Sequence, residues 1–184
     1  MVGRRGVQLA SHVLLLTGPP GVGKTTVVRR LVSELDAAGR RGFTTEEVRA
    51  GRQRVGFRLE TFDGRSIVLA HVDLTSPQRV GKYGVDLGAF EQIVDSVLGR
   101  RDAAAVYVID EIGRMECLSD RFVSAMTVLL NSTAAVIATI AARGDSFIRR
   151  VKDRPDAELW QVTRANRDGL PAQALAWLKD RRAV

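Results

Sequence analysis

The chain has 184 residues, 45% of them hydrophobic, which suffices for one buried core and leaves too little for two comfortable domains. No apolar run approaches the roughly 18 residues of a membrane span, and the single cysteine, Cys117, excludes an internal disulfide and a cysteine-cluster zinc site. The net charge of +7 arises from 28 Lys and Arg against 21 Asp and Glu, dispersed along the chain with arginine pairs in place of a basic block. That pattern describes a solvated surface suited to polyphosphate ligands better than a nucleic-acid tract, and no RNA-binding aromatic signature accompanies it.

Residues 1–10 read as a flexible amino-terminal tail. The apolar segment behind Arg4 and Arg5 is too short for a secretory leader, so a cytoplasmic protein is expected, folded as one domain over 1–184 and taken as a monomer. Val13-Leu14-Leu15-Leu16 is an apolar run of strand length. Directly after it, Gly18-Pro19-Pro20-Gly21-Val22-Gly23-Lys24-Thr25 fits the P-loop pattern, in which backbone N–H groups converge on the phosphates of a nucleotide. Lys24 is placed to reach the β/γ-phosphates, the Thr25 hydroxyl to ligate Mg²⁺, and Thr26 to continue the phosphate-binding turn. Val27, Val28, Leu31, Val32 and Leu35 then recur at helical spacing, with Gly39 as a stop.

Farther on, 42–49 reads as a short strand entering a charged segment. Segments 55–62 and 66–72 form a hairpin about Asp63-Gly64, expected at one edge of the sheet. Segment 74–84, rich in Gly, Pro and Ser, reads as a loop. Asp86 caps a helix carrying Phe90, Ile93, Val94, Val97 and Leu98; 104–109 is a strand covered on both faces; Ser119 caps a helix with Phe122, Val123, Met126, Leu129 and Leu130 inward. A buried strand at 134–140, a weak helix at 145–152, a short strand at 159–162 and a helix at 170–181 with Leu175 and Leu178 inward complete the chain. The alternation predicts an α/β fold of the three-layer P-loop NTPase type, with a mostly parallel central sheet and an antiparallel β-hairpin at one edge.

Asp110 and Glu111 follow four apolar strand residues. A carboxylate at the tip of a buried strand supplies the second anchor for Mg²⁺, and a second acid one residue later suits alignment or deprotonation of an attacking water. Ile109-Asp110-Glu111-Ile112-Gly113-Arg114-Met115-Glu116 resembles the signature of the small nucleoside-triphosphatase family that includes the human cancer-related nucleoside triphosphatase and thermophile relatives. Segments 42–49 and 80–86 and Asn166-Arg167-Asp168 fit the same family, so the resemblance spans 13–168; Arg114 stands where relatives often have lysine. The resemblance implies Mg²⁺-dependent hydrolysis of nucleoside triphosphates with low base selectivity by a RecA-like or kinase-like P-loop domain. It brings Gly113 into the nucleotide site beside Asp110 and Glu111.

Other candidates keep two readings each. Glu46, Glu47 and Arg49 either reach the γ-phosphate side, with Arg49 as an arginine finger in cis, or form a charged hairpin edge beside Arg52, Arg54 and Arg58. Lys82 and Tyr83 either contact substrate or belong to a plain loop. Thr139 senses the γ-phosphate or is a satisfied core threonine. Asn166 and Asp168 contact a base or shape a turn. His12 and His71 lie in strand settings that do not suggest metal binding, and Cys117 reads as a small packed residue. Two further functions compete with hydrolysis: a nucleotide or nucleoside kinase, which lacks an evident arginine-rich lid here, and a nucleotide-gated, RNA-associated binding module.

Overall fold

In the computed structural model, which describes residues 11–99 and 105–182, one nine-stranded sheet runs through the molecule. The expected amino-terminal tail and Ala104 lie outside the described residues. The strands are β1 (Val13–Thr17), β2 (Arg40–Ala50), β3 (Gln53–Thr61), β4 (Ser66–His71), β5 (Arg79–Val80), β6 (Tyr83–Val85), β7 (Val106–Ile112), β8 (Ala135–Ile140) and β9 (Ala157–Gln161). They lie in the order β5-β6-β4-β3-β2-β7-β8-β1-β9. From β2 to β9 every pairing is parallel; from β2 outward through β3, β4, β6 and β5 every pairing is antiparallel.

The hairpin of β3 and β4 forms around Asp63-Gly64 as expected, but it does not end the sheet. The predicted loop over 74–84 contains β5 and most of its short partner β6, which pair with each other and take the outermost place. Strand β2 is also longer than expected, because its first half pairs with β7 and its second half with β3.

The helices are α1 (Lys24–Glu34), α2 (Leu87–Leu98), α3 (Asp120–Leu130), α4 (Ser146–Lys152) and α5 (Leu170–Arg182). Successive strand side chains point to opposite faces, so each parallel strand feeds two cores. Leu14, Leu16, Val106, Val108 and Ile137 pack with Val27, Val28 and Leu31 of α1 and with Leu170, Ala174, Trp177 and Leu178 of α5. Val13, Leu15, Tyr107, Ile109, Val136 and Ala138 pack with Phe90 and Ile93 of α2, Phe122 and Met126 of α3, and Phe147 and Ile148 of α4. Helices on both faces of a sheet make the expected three layers.

Local signals set most helix starts. Asp86 accepts from the Ala89 amide at 2.9 Å, Ser119 from Phe122 at 3.1 Å and Asp145 from Ile148 at 3.0 Å. Helix α1 stops at Glu34, before the expected Leu35 to Gly39 region, and Leu35 is already extended. In α5, Leu175 is only half-buried, while Ala174 and Trp177 carry the packing alongside Leu178. At the β9 edge the Glu158 carboxylate accepts from Trp177 Nε1 at 2.9 Å, from Trp160 Nε1 at 3.3 Å and from Arg181. No helix of the described residues is long and apolar enough to cross a membrane.

Candidate active site

The carboxyl ends of the parallel strands open into one cleft of about 1120 Å³. Gly18, Pro19, Pro20, Gly21, Gly23, Lys24, Thr25 and Thr26 form one wall, and Asp110, Glu111 and Gly113 form the facing one. Gly21 and Gly23 take φ of 73° and 110°, a left-handed region that glycine alone enters without cost. This turn delivers the chain into α1 with its first-turn amides free of intrahelical partners and its positive dipole end toward the cleft. Val22 points the other way, buried in the core under the loop. Lys24 is buried; its Nζ donates to the Gly18 carbonyl at 3.2 Å and lies 3.9 Å from Glu111 Oε2.

Asp110 is held from both neighbouring strands. The Thr139 hydroxyl at the end of β8 donates to Asp110 Oδ1 at 2.6 Å, and the Thr45 hydroxyl of β2 donates to the Asp110 carbonyl at 2.7 Å. Thr139 is therefore a satisfied buried threonine whose partner is the acid at the cleft, and it does not line the cleft itself. Asp110 Oδ2 is buried and accepts no hydrogen bond among the described residues. Burial pushes the Asp110 carboxyl up, while the hydroxyls of Thr139 and Thr25, the Thr45 amide and the Lys24 ammonium pull it back. Thr25 thus lies beside the acid, as the P-loop pattern requires.

Glu111 is also raised, first by burial and then by Asp110, against the lowering pull of Lys24 and Lys152. Sequence reasoning missed a third acid of this group. Glu116, in the 3₁₀ turn Glu116–Leu118 behind β7, is buried and lines the cleft; burial and the nearby Glu111 push its carboxyl up to about 8. Its signal was present in the Ile109–Glu116 segment, but only the fold of the turn brings it back beside Glu111. Gly113 leaves the space between them: a β-carbon there would meet Glu116 Oε2 at 2.8 Å and Glu111 Cδ at 3.7 Å.

The cleft continues over β2 and β3, lined by Thr45, Glu46, Glu47, Arg49, Arg54 and Phe57, with Val80 beyond. Arg49 reaches the cleft but is fastened to Glu47, which Arg54 also holds at 2.7 Å. Arg54 further donates to the Tyr83 hydroxyl at 3.1 Å, and Glu46 pairs with Arg29 of α1. Lys82 lies over the Tyr83 ring at 5.4 Å, outside the cleft lining. Asn166 is spent on its own turn: Oδ1 accepts from the Thr163 amide at 2.8 Å and Nδ2 donates to the Gln161 carbonyl at 2.8 Å. Asp168 pairs with Arg30 at 2.9 Å. His12 Nε2 lies 3.2 Å from the Leu130 carbonyl, far along the sheet from the cleft, and Cys117 is half-buried with its thiol pushed up to about 12 by burial.

The profile of a family described as NTPase matches residues 13–175, a stretch that contains every residue lining this cleft. The chain belongs to that NTPase family. It is 42% identical to the nucleoside-triphosphatase THEP1 of Thermotoga maritima over 167 residues, 90% of this chain and 95% of that one. It is 39% identical to the human cancer-related nucleoside-triphosphatase, covering 88% of this chain and 93% of the relative. The crystal structure of THEP1 from Aquifex aeolicus superposes with a TM-score of 0.81 at 35% identity, covering 89% of this chain and 96% of that chain. The solution structure of the human protein superposes with a TM-score of 0.77, covering 91% and 97%. The NTPase family resemblance carried by Ile109–Glu116 is thus shown, and with it the α/β P-loop fold.

Proposed function

We propose that this chain is a Mg²⁺-dependent nucleoside triphosphatase that hydrolyses the terminal phosphate of ATP, GTP and related nucleotides with little base selectivity. One observation supports it above the rest: a P-loop lysine and threonine face a buried carboxylate whose Oδ2 accepts no hydrogen bond among the described residues. An acceptor left bare in the interior is costly unless a ligand completes it. A hard divalent cation fits, since Mg²⁺ takes few protein oxygens and fills its shell with water and substrate phosphate. Thr25 and Asp110 would hold it, and when bound it neutralises charge on the phosphoryl oxygens.

The rest falls to the chain's own groups. The amides from Gly21 to Thr25 and the Lys24 ammonium stabilise charge on the β/γ oxygens. Glu111, at the cleft wall beside Lys24, orients a water and takes its proton. The water oxygen bonds to the γ-phosphorus as the bridge to the β-phosphate breaks, giving a nucleoside diphosphate and phosphate. Arg49 supplies further positive charge once freed from Glu47. The lone cysteine is in keeping with a reducing, cytoplasmic setting.

Phosphate release from ATP, GTP, CTP and UTP, with Mg²⁺ and with chelator, tests this reading. Lys24→Ala is expected to weaken binding and turnover together. Glu111→Gln is expected to keep nucleotide binding and lose about 100-fold or more in rate. Normal turnover by Glu111→Gln removes that residue from the mechanism, and label appearing on an added nucleotide replaces hydrolysis with transfer.

A further inference from the structure

The turn that follows β9 is fastened to the outer flank of the P-loop at three levels. The Val162 amide donates to the Thr17 carbonyl at 2.7 Å, and the Val162 carbonyl sits so close to Gly18 that a β-carbon there would meet it at 2.8 Å. Arg167 lies across Gly23, where a β-carbon would meet its Cδ at 3.1 Å, and its Nη1 donates to the Val22 carbonyl at 3.3 Å. Asp168 binds Arg30 of α1. Asn166, folded into the turn, presents Arg167 and is not itself free to bind.

Sheet order fixes which end of a nucleotide meets this turn. Strands β8 and β7, with Asp110 at the tip of β7, lie on one side of β1; β9 lies on the other. A triphosphate whose terminal phosphate sits against Lys24, Asp110 and Glu111 directs its nucleoside away from β7, toward the β9 side and the start of α1. There a planar, half-buried guanidinium waits. Among the described residues its side chain makes one hydrogen bond, through Nη1, which anchors it against Gly23 just beyond the residues that line the cleft. A guanidinium stacks on any nucleobase through the ring's π-face and reads none of its edges.

We propose that Arg167 is the base platform of this site, stacking on the purine or pyrimidine ring of the bound nucleotide while the Val22 carbonyl holds it in place. This rests on the nucleoside-triphosphatase reading and gives base indifference a physical source. The test is equilibrium binding to the wild type, Arg167→Ala and Arg167→Lys, using non-hydrolysable analogues of the four nucleotides and inorganic tripolyphosphate, which has the phosphates and no base. Arg167→Ala is expected to weaken all four analogues about 5- to 100-fold while tripolyphosphate changes less than about twofold. Arg167→Lys, keeping the charge without the plane, is expected to follow the alanine variant. Equal losses for tripolyphosphate would reduce Arg167 to a clamp on the P-loop. Rescue by lysine, or unchanged affinity for the analogues, would also overturn the proposal. Wild-type protein that binds the analogues but releases no phosphate from nucleotides sinks the hydrolase reading alone and leaves this comparison intact.

Discussion

Glu116→Gln replaces a buried acid by a neutral group of the same size, and the structure sets the size of the effect. Burial, then the Glu111 and Asp110 carboxylates, push Glu116 up to about 8, whereas the unfolded chain releases that proton near the ordinary value of 4.5. The folded state therefore holds a proton that the unfolded state has lost. Stability from this group is fully present below pH 4.5 and is lost as pH rises through about 8. At about 1.4 kcal/mol per pH unit, the loss between about pH 5.5 and 8 is roughly 3 kcal/mol. Asp110 and Glu111 are raised as well; both remain in the variant, so only their coupling to Glu116 enters the difference. Urea titrations of wild type and Glu116→Gln at the two pH values measure it directly. The variant is expected to gain on the wild type by roughly 3 kcal/mol on going to the higher pH. Parallel pH dependences in the two proteins would refute the claim that the fold keeps Glu116 protonated.

Two further outcomes follow from the cleft and the sheet. Thr139→Val removes the 2.6 Å donor to Oδ1 of the buried Asp110 carboxylate, so the urea midpoint is expected to fall by the equivalent of about 1–3 kcal/mol. Gly42→Ala puts a β-carbon 1.8 Å from the Val108 carbonyl of β7 at a φ of 130°, which forces β2 off its neighbour. A loss of about 3 kcal/mol or more is expected in thermal or urea unfolding, together with reduced nucleotide binding as Thr45 leaves Asp110.

What could be read from sequence was local. Gly18–Thr25 and the Asp110-Glu111 pair announce themselves because strand, glycine turn and helix are contiguous, and because an acid ending a fully apolar run has few structural uses. Thr45 and Thr139 were harder: each touches Asp110 only because β2 and β8 pair in parallel on either side of β7, a register set by residues distant in sequence. Glu116 and Glu111 meet only after the 3₁₀ turn. The two short strands β5 and β6 hid in a composition that reads as loop, since strands of two and three residues carry too little periodicity to detect. Asn166 reads from sequence as a base contact or a turn residue, and Arg167 carries no signal of its own. The more turn-like residue is consumed by the turn, and its neighbour, whose composition says only "charged", is the one set against the P-loop.

Both tryptophans of the chain converge on the single carboxylate of Glu158, one from β9 and one from α5. Intrinsic emission from this protein is therefore an optical gauge of one corner, the seam between the last parallel strand and the last helix, and is blind to the distant antiparallel wing. Arg167 sits on the link between those same two elements. Titrating ligand while following tryptophan colour and intensity thus tests, with no label attached, whether binding at the cleft is felt along that seam.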